Sequence, residues 1–151
     1  MIRGKHISKP MGEIVAEASR LVEAGVKEIN LISQDTTYYG LDLYKKRLLP
    51  ELLDKLAGLK GLEWIRLHYA YPDGFPLELL EVVRSHKNIC NYIDIPLQHI
   101  SNRILKSMHR GIDGAGTRHL VDSIRSAIPG VAIRTTLIAG CLLYTSPSPR
   151  D

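Results

Sequence analysis

The sequence predicts an α/β fold of about four helix–strand units whose strands run parallel. Three observations predict it. Between residues 10 and 140, stretches with helical periodicity alternate with short apolar, β-branched runs. A helix lies between each pair of runs, and a crossover of that kind makes neighbouring strands parallel and the connection right-handed. No Gly-x-Gly-x-x-Gly follows any strand, which favours part of a (β/α) barrel over an open dinucleotide-binding sheet.

The first helix is expected from Pro10 to Ala24. Ser8 is its candidate N-cap, Pro10 stands in the first turn, and Ile14, Ala18, Leu21, Val22 and Gly25 fall on one face. Gly25 suits the stop. The run from Glu28 to Ser33 is the first strand. The second helix carries Leu48, Leu49, Leu52, Leu53 and Leu56 inward and ends at Gly58 and Gly61. The strand from Trp64 to Tyr69 follows. Pro76 opens the third helix, with Leu77, Leu80 and Val83 inward. The strand from Tyr92 to Ile95 is cut by Pro96. The last helix is expected from Thr117 to Ala127, with Leu120, Val121, Ile124 and Ile128 inward, before a strand from Val131 to Ile138. Gly114 and Gly116 weaken its start.

Composition narrows the function classes. The 151 residues suit one domain or a piece of a larger one, and the 44% hydrophobic and 24% charged content is ordinary for a globular protein. The net charge of +4 permits an anionic partner such as RNA without demanding one. The longest basic run, Lys45-Lys46-Arg47, reads as a solvated segment. Two cysteines, Cys90 and Cys141, form no pairing or metal pattern and argue against a disulfide scaffold. No apolar run reaches the roughly 18 residues of a membrane span. The segment from Met1 to Lys5 lacks the apolar core of a signal peptide. A cytoplasmic location is expected.

In parallel barrels the C-terminal ends of the strands carry the active site. Those ends supply the segments 33–36, 68–72, 96–99 and 134–136, all rich in hydrogen-bonding side chains. Asp35 is a candidate base or metal ligand, or a loop residue capping backbone amides. His68 and His99 could meet across the mouth as ligands, or each could be a satisfied hydrogen-bonding residue. Gln98 follows Pro96, which fixes its direction, and its neutral amide suits recognition of a polar ligand. Arg134 lies on an apolar strand and, if buried, needs an anionic partner, either a ligand carboxylate or a structural residue such as Asp94. Arg66 reads as a structural pair. The aromatic stretch from Tyr38 to Tyr44 reads as a packed loop and Cys90 as an inert core residue.

Four strings carry a resemblance. They run from Leu31 to Gly40, from Trp64 to Pro72, from Asp94 to Ser101 and from Ile133 to Gly140. Together they resemble the radical S-adenosylmethionine (SAM) methylthiotransferase family over residues 2–140. The strings His68-Tyr69-Ala70-Tyr71-Pro72 and Asp94-Ile95-Pro96-Leu97-Gln98-His99 are similar to its ribosomal-protein-modifying branch. The resemblance implies a partial radical SAM (β/α) barrel over residues 1–140. It also implies a [4Fe–4S] cluster held by a Cys-x-x-x-Cys-x-x-Cys loop, a bound SAM cleaved to a 5′-deoxyadenosyl radical, and an electron donor. Methylthiolation would fall on an aspartate of the twelfth small-subunit ribosomal protein, on its own or in the ribosome. By the same resemblance Gln34, Gln98, Arg134 and Thr136 face SAM or substrate, with Arg134 a partner for the SAM carboxylate.

The sequence departs from the family where the three-cysteine loop is absent. Arg3-Gly4 and Ser8-Lys9-Pro10 match the segment just downstream of that loop, so an internal fragment, inactive by itself, is expected. Residues 141–151 break the rhythm with two prolines and resemble translated sequencing adapter, so they are expected to be foreign to the fold. Two alternatives stand beside this reading. One is a tRNA methylthiotransferase of the same family. The other is a metal-dependent barrel hydrolase using His68, His99 and Asp35.

Overall fold

The computed structural model describes residues 6–140. The tail reading and Cys141 fall on residues 141–151 and lie outside them.

Helix α1 (Met11–Glu23) begins directly after Pro10, whose extended ψ of 138° sets the turn into the helix. Ser8 is not the N-cap: its hydroxyl is engaged with Asp42 and with the Gly40 amide instead. The helix closes as expected. Gly25 takes a φ of 95°, and the Val26 N–H donates to the Leu21 carbonyl across it. Strand β1 (Glu28–Leu31) leads through a short 3₁₀ turn at Thr36–Tyr38 into α2 (Leu41–Tyr44), a single turn. Helix α3 (Leu49–Ala57) buries Leu49, Leu52, Leu53 and Leu56 and stops at Gly58. Strand β2 (Trp64–Leu67) follows, then α4 (Glu78–Ser85) and β3 (Tyr92–Asp94). Helix α5 (Asn102–Ser107) was not expected. Helix α6 (Gly114–Ala127) starts three residues earlier than the sequence predicts, because the Asp113 carboxylate accepts from the Gly116 N–H at 2.7 Å. Strand β4 (Ala132–Arg134) completes the order.

The strands are parallel and neighbours in chain order. Strand β1 pairs with β2, with Asn30 opposite Arg66, and β3 pairs with β4, with Asp94 opposite Arg134. An Ile65–Ile89 bridge and a hydrogen bond from the Ala70 N–H to the Asp94 carbonyl join the two pairs. Neighbours in sequence order are what a barrel requires; a doubly wound sheet reverses its order at a switch point. Helices α1, α3, α4 and α6 pack side by side in the same sequence.

Strand alternation divides the sheet into two faces. Ile65, Leu67, Ile93 and Ile95 are buried with Leu53, Leu56, Leu79, Val83 and Ile124 of the helices. Burial of this kind contributes roughly 1.5–3 kcal/mol per large apolar side chain. Two helix faces differ from expectation. Leu77 is half-exposed and Leu79 takes its inward place, since α4 begins after Leu77. Leu21 is also exposed, because α1 is the outermost described helix and has a neighbour on one flank. The other sheet face carries Glu28, Asn30, Trp64, Arg66, Tyr92, Asp94, Ala132 and Arg134 by the same alternation.

Candidate functional site

Parallel strands in neighbouring positions put all four C-terminal ends on one rim. The loops there are stitched strand to strand. The Thr36 N–H and hydroxyl donate to carbonyls of His68 and Tyr69 after β2. The Ala70 N–H donates to the Asp94 carbonyl, and the Gln98 N–H to the Thr136 carbonyl at 2.8 Å. Two positive φ values mark the rim, 55° at Tyr69 and 69° at Gln98. Such a conformation strains a non-glycine residue and gathers at functional sites.

Gln98 owes its position to Pro96. The Ile95 N–H donates to the Arg134 carbonyl, but Pro96 has no N–H to continue the ladder. Pairing resumes at Gln98 with Thr136, and the Ile138 N–H donates back to the Gln98 carbonyl. The segment after β3 thus holds one residue more than its partner between these two bonds. That extra residue bulges the strand and re-aims its side chains. Gln98 Oε1 is buried without a hydrogen-bond partner, as is Ser33 Oγ after β1. Among the described residues these are the two buried side-chain polar atoms so left, and both sit on the rim. Buried polar atoms are rarely left unmatched, so two on one rim make it the candidate ligand surface.

Arg134 is not buried, yet it takes one of the two partners the sequence offered, Asp94. It stands on the outer described strand with its side chain 55% exposed, and its Nη1 donates to Asp94 Oδ2 at 2.9 Å. The charge of Asp94 holds the guanidinium pKa above its ordinary value. The same Oδ2 faces His68 Nδ1 at 3.3 Å. A carboxylate only accepts, so Nδ1 is the donor there. His68 also packs edge-on against the Tyr92 ring, and Arg66 lies over that ring while its Nε donates to Glu28 at 3.0 Å. This raises the Arg66 pKa and makes it the structural pair the sequence predicted. A band of paired charges thus runs across the open sheet face from β1 to β4.

The remaining candidates separate. Gln34 is exposed on the same rim but follows β1, two strands from Gln98. Thr136 is exposed and meets Gln98 through its backbone. Asp35 Oδ1 accepts from the Thr37 N–H and hydroxyl, the local capping role. His99 Nδ1 accepts from the Ser101 N–H. Asp35, His68 and His99 are therefore engaged separately, and the described residues contain no group of three or more side chains suited to a metal ion. Cys90 is half-buried and free. A cleft of about 240 Å³ opens beside the rim between residues 6–9 and the end of β1, with Ser33, Ile14 and Tyr39 in its lining. Sequence reading missed Ser33 as a site residue, although it lies in a polar strand-end segment. It named Asp94 as a structural partner for Arg134, and that bond is present.

The comparisons agree with this architecture. The Radical SAM superfamily matches residues 1–140. The chain is 61% identical over 140 residues to the ribosomal protein uS12 methylthiotransferase RimO of Flavobacterium johnsoniae, covering 93% of this chain and 32% of that protein. Identity to the proteins of the same name is 54% in Cytophaga hutchinsonii and 51% in Bacteroides thetaiotaomicron, again over 93% of this chain and 32% of each. The chain thus spans about a third of the length of these relatives. Among solved structures it resembles the radical S-adenosylmethionine methyltransferase TsrM from Kitasatospora setae, whose structure holds cobalamin and a [4Fe–4S] cluster. The TM-score is 0.58 with 16% identity, over 85% of this chain and 24% of that one, a likeness of fold. With its parallel strands in barrel order and a superfamily match over nearly its whole length, the chain belongs to the radical SAM superfamily as part of a (β/α) barrel.

Proposed function

We propose that this chain is the SAM-gripping part of a methylthiotransferase that modifies the β carbon of an aspartate on ribosomal protein uS12. The observation that carries the site is the pair of unmatched buried atoms, Ser33 Oγ and Gln98 Oε1, on the rim where the parallel strands end. The relatives' names support the reaction and the ribosomal substrate. In this reading the described residues belong to a barrel domain of residues 1–140, and residues 141–151 are adapter-derived.

The rim fits SAM. Gln98 offers a neutral acceptor to an N–H or O–H donor. Arg134 keeps free guanidinium donors beyond its bond to Asp94 and takes the carboxylate. Gln34 and Thr136 add polar contacts further along the rim. The described residues do not fit a [4Fe–4S] cluster, since Cys90 is their one cysteine, whereas such clusters are held by several thiolates. Its ligands and the electron donor therefore lie elsewhere in the working enzyme, which acts in the cytoplasm. When bound, the cluster and SAM supply hydrogen-atom abstraction from an unactivated carbon. The barrel wall positions the reactants and excludes water.

The test is complementation. Residues 6–140 replace the matching segment of the Flavobacterium johnsoniae relative, and the chimera is returned to a strain lacking that gene. Mass spectrometry of uS12 is expected to show the methylthio increment restored on one aspartate. An unmodified uS12 with methylthiolation of tRNA instead would refute the proposed substrate and give the tRNA reading.

A further inference from the structure

We infer that Asp94 is a positioning residue for the SAM site, acting through Arg134. The inference rests on the reading of Arg134 as the carboxylate contact. Asp94 is 2% exposed, and one of its oxygens, Oδ2, takes both Arg134 Nη1 and His68 Nδ1. Its backbone carbonyl takes the Ala70 N–H, so this residue ties β2, β3 and β4 at the rim. Arg134, by contrast, is a long side chain on an outer strand with more than half its surface open. Without a fixed partner it would sample many rotamers, and ordering them on binding would cost affinity. Asp94 also stands directly opposite Arg134 in the strand register, so the bond needs no distortion of either backbone. It spends one of the five guanidinium N–H donors. His68, which meets the same oxygen, is itself packed against Tyr92, and this second contact limits the swing of the carboxylate. The bland reading, a salt bridge that only joins two strands, makes a different prediction: loss of Asp94 would act on folding and leave binding independent of Arg134.

The experiment uses the full-length chimera with its cluster intact, and reads SAM affinity by titration calorimetry together with thermal melting. Arg134→Ala and Asp94→Asn are each expected to weaken SAM binding by about tenfold, the size of one charge-assisted hydrogen bond. The double variant is expected to bind no more weakly than Arg134→Ala, because Asp94 acts through that residue. Wild-type affinity in Asp94→Asn, tighter binding in it, or losses that add in the double variant would each overturn the inference while leaving the Arg134 contact in place. Wild-type affinity in Arg134→Ala would instead remove the Arg134 contact itself, and the inference with it. If Asp94→Asn does not fold, Arg134→Lys decides. It keeps the charge but lacks the planar fork that Asp94 orients. Affinity as weak as in Arg134→Ala supports the inference, and wild-type affinity overturns it.

Discussion

Ser8 and Asp42, 34 residues apart, are joined by two hydrogen bonds: the Ser8 N–H donates to Oδ2 at 2.7 Å and its hydroxyl to Oδ1 at 2.5 Å. The Ser8 oxygen in turn accepts from the Gly40 N–H, Tyr39 donates to the Lys9 carbonyl, and the Met11 N–H donates to the Tyr44 hydroxyl. The segment before α1 is thereby strapped onto the aromatic loop after β1. Burial pushes the Tyr39 hydroxyl up to about 12, so it stays a donor at any working pH.

The strap is expected to depend on pH in one direction. The Ser8 bonds hold the Asp42 carboxyl below its ordinary range. A depressed pKa contributes stability that is present above the unfolded value of about 3.9 and is lost as pH falls through the lower folded value. Asp42→Asn should therefore quicken amide hydrogen exchange at Ser8 and Gly40 near neutral pH, and flatten the acid dependence of that exchange. Equal protection at both amides in the two proteins would show that the strap does not rely on the carboxylate.

Glycine substitutions on two helices should move stability in opposite directions. Gly12 lies in α1 with open space where a Cβ would go, so Gly12→Ala is expected to gain about 0.5–1 kcal/mol from helix propensity. A Cβ at Gly114 would lie 2.4 Å from the Ile100 carbonyl oxygen, so Gly114→Ala should lose about 1–3 kcal/mol by overpacking. Urea denaturation of the two variants checks the sign of each. A gain in Gly114→Ala would mean that the loop before α5 yields freely.

The same contact explains a feature the sequence presented as a weakness. Gly114 and Gly116 are poor helix formers, yet α6 includes both, because Asp113 caps the first turn and Ile100 leaves no room for a side chain. Long helices with leucines at regular spacing, such as 49, 52, 53 and 56, were legible because burial and periodicity agree there. Helix α5, of six residues, is too short to show a period, and Ser101 makes no side-chain cap bond to announce it. The strands were read too long. Ladder pairing ends at Leu31 and Leu67, short of the expected ends, and Tyr69 turns to positive φ; at Ile95 it ends where the sequence placed the cut, since Pro96 removes a donor. Polar strand ends were legible as a rim, but the bulge that aims Gln98, and the sharing of one Asp94 oxygen by His68 and Arg134, depend on pairing between segments far apart in the chain.

Gln98 joins strain to the proposed binding role, so its replacement should separate them. Gln98→Gly relieves a left-handed backbone and removes an unmatched buried oxygen, and is expected to raise stability by about 1 kcal/mol. In the chimera it should also weaken SAM binding several-fold, by loss of the acceptor. A stabilised variant with unchanged affinity would remove Gln98 from the site, and a destabilised one would show that its side chain serves packing.

Open sheet edges set the last expectation. Among the described residues β1 pairs only with β2, and β4 only with β3, so each presents a row of unpaired backbone groups. The sheet face between them carries Trp64, 54% exposed and the one tryptophan in the chain. Unprotected edges template pairing with other chains, and the cost of leaving their amides unmatched falls when two copies meet. The chain expressed alone should therefore associate as its concentration rises, seen by sedimentation velocity. Its tryptophan emission should shift to the blue over the same range as Trp64 leaves water. In the chimera, flanking segments of the longer protein would cover these edges, and the shift should vanish. A monomer of the isolated chain that melts in one sharp cooperative transition would show that four parallel strands and their helices protect their own edges.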